Sequence, residues 1–112
     1  MPSFSYDFPY STRKLPVFAD NVVASSQHLA ATVLAAIRDR NQLDTATVDD
    51  IIWSVSTQDG MQAGDLGRMA ALDAGYDLKA SGTTLDRFCG GGITSVALAA
   101  AQVMSGMEDC VI

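Results

Sequence analysis

The sequence predicts an α/β domain in the order βαβαβαβ, with a largely parallel sheet and flanking helices. Three observations carry that expectation. Short apolar runs, of which Asp50–Ser56 is the clearest, alternate with segments whose apolar residues recur at helical spacing. Glycines stand where helices must stop, at Gly75 and Gly106. The run Thr83–Phe88 leads through one cysteine and three glycines into a long apolar segment, as a strand feeds a helix.

Taken in order, residues 1–20 read as an irregular N-terminal segment and residues 21–112 as the folded unit. Pro2, Pro9 and Pro16 punctuate the first segment, and Phe4, Tyr6, Phe8, Tyr10 and Phe18 can tack it onto a surface. Asn21–Ala24 reads as a short strand. Ser25 or Ser26 then caps a helix to about Arg40, with Leu29, Val33, Ala36 and Ile37 at helical spacing. A polar connection follows, with Thr47 a candidate cap for a short turn, and Asp50–Ser56 is a buried strand. A glycine-containing loop leads to a helix from about Asp65 to Ala74, stopped by Gly75. Thr83–Phe88 is the next strand and Gly90–Ser105 the next helix. Asp109–Ile112 begins a last strand; four residues make a poor terminus for a strand, so the chain reads as a truncated fragment.

Hydrophobic residues make up 48% and charged residues 18% of the 112, more apolar content than a small solitary domain needs, which points to surface meant for a partner or for missing chain. The net charge of −6 and the scattered Lys and Arg argue against a nucleic-acid or anionic-membrane partner. The N-terminus has no continuous apolar segment of the signal-peptide kind. The most apolar stretch, Val96–Met104, is too short to span a bilayer and is flanked by glycines. Two cysteines without a disulfide framework suit a reduced, cytoplasmic protein, and with one distant histidine they make no zinc ligand set.

Cys89 is the candidate catalytic residue. A strand running into a cysteine and then a helix places the thiol at a helix N-terminus, where backbone N–H groups and the dipole favour the thiolate. Gly90, Gly91 and Gly92 leave room for a molecule to approach the sulfur; without a following Gly-Lys-Ser/Thr they do not form a phosphate loop. Cys110, in mid-strand, reads as a core cysteine. His28, the only histidine, reads as a solvated or partly buried helix position and not as the base. Arg68 and Arg87 read as members of structural ion pairs or dimer contacts. Trp53 reads as core packing, and Met61, Met69, Met104 and Met107 as core and interface packing.

Four segments bear on family. They are Val48-Asp49-Asp50-Ile51-Ile52-Trp53, Gly64-Asp65-Leu66-Gly67-Arg68-Met69-Ala70-Ala71-Leu72-Asp73-Ala74-Gly75, Leu85-Asp86-Arg87-Phe88-Cys89-Gly90-Gly91-Gly92, and the run from Met104 to Ile112. In order and spacing they resemble the N-terminal part of the thiolase family, the acyl-CoA C-acetyltransferases, from about residue 29 onward, roughly three quarters of the chain. The resemblance implies that Cys89 attacks an acyl-CoA thioester and carries the acyl group, which the carbanion of a second thioester then takes in forming a carbon–carbon bond. CoA thioesters are then substrates and no cofactor or metal is implied. It also implies that the Cys89 N–H helps hold the oxyanion, that the strand before Cys89 lies near a subunit interface in a homo-oligomer, and that the activating histidine, the second acid/base cysteine and the other oxyanion donors lie beyond residue 112. Phe8-Pro9-Tyr10-Ser11-Thr12-Arg13, Pro16-Val17-Phe18-Ala19 and Asn21-Val22-Val23-Ala24-Ser25-Ser26-Gln27 resemble instead the opening of a gamma-glutamyltransferase, with a join near Leu29–Thr32. That family's catalytic threonine is not present. Asn21–Ala24 would then replace the first strand of the sheet. A non-catalytic interaction module, or a remnant of a gamma-glutamyltransferase, are the alternative readings.

Overall fold

The computed structural model describes residues 18–19, 22–23 and 25–112. Its elements are β1 (Phe18–Ala19), β2 (Val22–Val23), α1 (Ser26–Asn41), β3 (Ile52–Ser54), α2 (Leu66–Asp73), β4 (Thr83–Leu85) and α3 (Gly91–Ser105). Single 3-10 turns occupy Thr45–Thr47, Gly60–Gln62 and Phe88–Gly90. The class is α/β with a small parallel sheet, and the full alternation expected from sequence is not reached.

Two differences explain that. Phe18–Ala19, inside the stretch expected to be irregular, pairs antiparallel with Val22–Val23 as a separate two-stranded sheet. Val22–Val23 therefore does not join the sheet that holds β3. The rest of the N-terminal segment, with its prolines and most of its aromatics, lies outside the described residues. At the other end, the expected strand Asp109–Ile112 is one parallel bridge, Asp50 with Val111. Its hydrogen bonds are those of parallel pairing: Cys110 O accepts the Asp49 N–H at 2.9 Å, and Ile112 O accepts the Ile52 N–H at 2.7 Å.

Between them, β3 and β4 pair in parallel, Ile52 with Thr83, Trp53 with Thr84 and Ser54 with Leu85. Helix α1 starts where sequence places it: Ser25 Oγ accepts the His28 N–H at 3.2 Å. Its buried face differs from the expectation. Ala30, Ala31, Leu34, Ala35 and Ala36 are buried, whereas Leu29 and Val33 are exposed. The reason is the partner, α2, which contributes Ala70 and Ala71, with Ala74 just past its end, to the same core. Alanines let the two helices approach closely; Leu34 is fully buried with them, whereas Leu29 and Val33 fall outside the seam. Tyr76 closes this core; its hydroxyl donates to Leu34 O at 2.9 Å, and burial raises its pKa.

At the N-terminus of α2, Asp65 takes a left-handed conformation (φ 60°). Its Oδ1 accepts the Thr84 hydroxyl at 2.7 Å and the Arg68 N–H at 3.3 Å, which ties α2 to β4. Leu34, Val48 and Ile51 are the largest fully buried side chains.

Helix α3 is the unusual element. It packs on β3 through its less exposed face, which carries Gly91, Thr94, Ser95, Ala99 and Gln102. Its apolar residues Ile93, Val96, Leu98, Val103 and Met104 face outward, with Met104 86% exposed. This reverses ordinary amphipathicity, in which the apolar stripe meets the core. The continuous helical run Phe88–Ser105 is 18 residues long with a mean hydropathy of 1.3, so by length and composition it is able to cross a membrane, although the shorter stretch 96–104 is not. Its small and polar face is engaged with β3, a contact that a spanning helix could not keep.

Asp49 clamps the end of the fold. Its Oδ2 accepts the N–H groups of Cys110 at 2.9 Å and Asp109 at 2.8 Å, and these bonds hold its carboxyl below the ordinary pKa. A depressed folded pKa gives stabilisation that is complete above the unfolded carboxylate value, about 3.9, and is lost as pH falls through the folded value. Amide exchange at Asp109 and Cys110 is therefore expected to stay slow from neutral pH down to about 4 and to accelerate below it. Asp49→Asn should abolish that pH step; a step that persists in this variant would contradict the assignment.

Candidate active site

β4 ends at Leu85, and six residues later the chain is helical. The reversal is made at Phe88, whose φ of 44° is left-handed. A 3-10 turn over Phe88–Gly90 then delivers Gly91 to the first turn of α3. Cys89 is exposed in that turn, directly ahead of α3, and both it and Cys110 are free thiols. Arg87 arches over the junction, its guanidinium donating to Thr94 Oγ1 at 3.0 Å.

The three glycines divide by role. Gly91 is buried against β3: a β-carbon there would lie 1.7 Å from Ser54 Oγ and 2.8 Å from Ser54 Cβ. It serves helix–sheet contact. Gly90 and Gly92 border open space, since a β-carbon on Gly92 would meet nothing within 4 Å and one on Gly90 only the Arg87 stem at 3.9 Å. The room for an approaching molecule expected from sequence is therefore at these two positions and not at Gly91.

Other residues singled out from sequence lie elsewhere. His28 is half-buried on α1, and its Nδ1 is 2.9 Å from Asp73 Oδ2 on α2. The groove there, about 330 Å³, is lined by His28, Thr32, Arg38, Asp39, Asp73 and three alanines, and by no residue of the Cys89 turn. Cys110 is partly buried against the core, as is Trp53. Among the described residues Arg68 forms no ion pair: it donates to the carbonyls of Ala80 and Leu78, stapling the connection before β4. Arg87 likewise meets a hydroxyl, and no carboxylate, among the described residues. Met61, Met69, Met104 and Met107 are exposed, so none is core. No group of three or more His, Cys, Asp or Glu suited to a metal occurs among the described residues.

The structure adds Asp86 and Ser56 to the site. Asp86 Oδ1 accepts the Phe88 N–H at 3.0 Å, and Ser56 Oγ donates to Phe88 O at 3.3 Å. An aspartate two residues ahead of a tight turn is a legible signal for the first; the second is set by the tertiary fold.

An exposed thiol on a strand–turn–helix junction is found in a chain whose residues 18–112 match the family description "Thiolase, N-terminal domain". The chain belongs to the thiolase family. The match takes in residues 18–31, so the thiolase similarity begins upstream of the join expected near residues 29–32. Among relatives, the chain is 36% identical over 84 residues to the steroid 3-ketoacyl-CoA thiolase FadA6 of Mycobacterium tuberculosis, covering 75% of this chain and 21% of that protein. It is 37% identical over 102 residues to a 3-ketoacyl-CoA thiolase of Shewanella loihica, covering 90% of this chain and 26% of that protein. With a beta-ketoadipyl-CoA thiolase of Acinetobacter baylyi it shares 35% over 85 residues, or 75% of this chain and 21% of the relative. This thiolase-family chain thus spans about a fifth to a quarter of the length of the curated relatives it matches.

The Gly91 seat yields a test. Gly91→Ala is expected to destabilise the fold by about 1–3 kcal/mol in urea unfolding, because β3 must give way. Gly92→Ala should be neutral or stabilising by up to about 1 kcal/mol, since its space is open and alanine favours helix. Adding Ser54→Gly to Gly91→Ala should recover most of the loss. Equal effects of the two alanine substitutions would refute the packing role.

Proposed function

We propose that Cys89 is the acyl carrier of a thiolase-type transfer between CoA thioesters. The observation that carries this is the exposed Cys89 thiol at the strand–turn–helix junction of a thiolase-family chain. The relatives' names, 3-ketoacyl-CoA thiolase among them, support acyl-CoA as the substrate class.

In this reading the Cys89 thiolate attacks the thioester carbonyl carbon. A new C–S bond forms, the carbonyl electrons move to oxygen, and collapse expels the CoA thiolate. The exchange is nearly balanced because both leaving groups are thiolates. In the second half, the carbanion of another acyl-CoA attacks the acyl-cysteine carbonyl, a C–C bond forms and the Cys89 thiolate leaves; thiolysis is the reverse. The Cys89 N–H donates to no group among the described residues and is available to the oxyanion. No imidazole or carboxylate bonds the Cys89 sulfur among the described residues. No metal or redox group enters these steps.

Self-association belongs to the same reading. The outward apolar face of α3 and the outer edge of β4, which has no strand partner among the described residues, are surfaces for a second copy. Light scattering is expected to find dimers or larger species; a monomer that persists as concentration rises would refute this.

The chemistry is tested by incubating the chain with acetyl-CoA and mapping adducts by peptide mass spectrometry. Acylation is expected at Cys89, absent at Cys110, and lost in Cys89→Ser. No adduct on the folded chain, or equal labelling of both cysteines, would overturn the reading for this chain.

A further inference from the structure

Phe88 is out of place by its own energetics. A bulky side chain at φ 44° crowds its own backbone, a conformation that costs roughly 1–2 kcal/mol in an L-residue and is ordinarily left to Gly, Asn or Asp. Among the described residues, the other two non-glycine residues with positive φ, Gln42 and Asp65, sit at helix caps with polar side chains. Phe88 gains no compensating burial, since it is 77% exposed. Something else must hold it there.

Three hydrogen bonds do. Below, Asp86 Oδ1 accepts the Phe88 N–H at 3.0 Å. Above, Phe88 O accepts the Ser56 hydroxyl at 3.3 Å and the Gly91 N–H. The residue is thus gripped on both sides, by a side chain from its own turn and by one from the segment following β3. Cys89 is the next residue along. If Phe88 relaxed to a negative φ, Cys89 would turn away from its outward position and Gly91 would leave its seat on Ser54.

We propose that Asp86 and Ser56 are positioning residues for Cys89, acting by holding Phe88 in a left-handed conformation that it would not otherwise keep. They touch neither the thiol nor a substrate. Their effect on acyl transfer rests on Cys89 being the acyl carrier; their effect on the turn does not.

The test exploits the cause, a side chain where glycine belongs. In Asp86→Ala the acylation rate of Cys89 by acetyl-CoA is expected to fall about tenfold, the equivalent of the strain no longer held. Asp86→Asn keeps an acceptor oxygen and should stay within about twofold. Asp86→Ala combined with Phe88→Gly should regain most of the lost rate, because glycine adopts the positive φ unaided. Ser56→Ala should act in the direction of Asp86→Ala. Alkylation of Cys110 serves as an internal control of the fold and should not change across the series.

Backbone chemical shifts of residue 88 give a readout independent of acyl transfer. They are expected to leave left-handed values in Asp86→Ala and to keep them in Asp86→Asn. If wild-type Cys89 is never acylated, the acyl-carrier reading fails while the shifts still decide the positioning. If residue 88 keeps its left-handed shifts in both Asp86→Ala and Ser56→Ala, the proposal is overturned. It is equally overturned if Phe88→Gly fails to restore what Asp86→Ala loses, or if Cys110 becomes reactive in step with the loss at Cys89.

Discussion

Between Ser54 and Gly91 there is no room for even a β-carbon, which would stand 1.7 Å from the Ser54 hydroxyl oxygen. That contact fixes how near α3 lies to β3, and the geometry of the junction follows from it. With Gly91 seated, the 3-10 turn ahead of it must climb from the end of β4 to the start of α3 within a few residues, and a left-handed Phe88 is how it does so. The outward thiol of Cys89 is the product of these constraints. A residue held by its neighbours' backbone geometry keeps its place without a side-chain bond of its own.

The same economy shapes the two helix contacts. Alanines from α1 and from α2 and its C-cap meet across a close seam, and α3 lays its smallest and most polar residues on the sheet. Close approach leaves Leu29 and Val33 of α1 outside, although Leu34 is buried. For α3 this puts Ile93, Val96 and Met104 in solvent, an apolar surface that carries no charged residue from Gly90 to Met107. Solvent exposure of that face is unfavourable at roughly 25 cal/mol per Å², which is the physical drive toward burial against another surface. Near the far end of α3, Gln102 donates to the buried Asp50 at 3.4 Å while its own Oε1 is buried without a partner among the described residues.

Much of this was legible in the sequence. Ser25, Gly75 and Gly106 mark helix ends by local chemistry, and the strand–cysteine–glycine–helix order gave Cys89 and its turn. The thiolase family was legible because four motifs keep their spacing. What was not legible depends on partners distant in sequence. Periodicity put Leu29 and Val33 inward because it weighs side-chain size, whereas the seam with α2 selects for smallness. Three glycines in a row look alike until β3 singles out Gly91. Arg68 reads from sequence as a member of an ion pair or a dimer contact, whereas among the described residues its acceptors are carbonyls ten and twelve residues away. The role of Ser56 depends on a turn 32 residues later, and the sequence has no periodic signal for it.

The central claim is that the fold, and not cysteine chemistry alone, makes Cys89 a distinct thiol. Competitive alkylation of Cys89 and Cys110 within one chain, followed by mass spectrometry across a urea titration, tests this most directly. Cys89 is expected to react well ahead of Cys110 in the native state, and the two rates to converge as the fold is lost. Equal rates in the native chain, or a preference for Cys89 that survives complete unfolding, would contradict it.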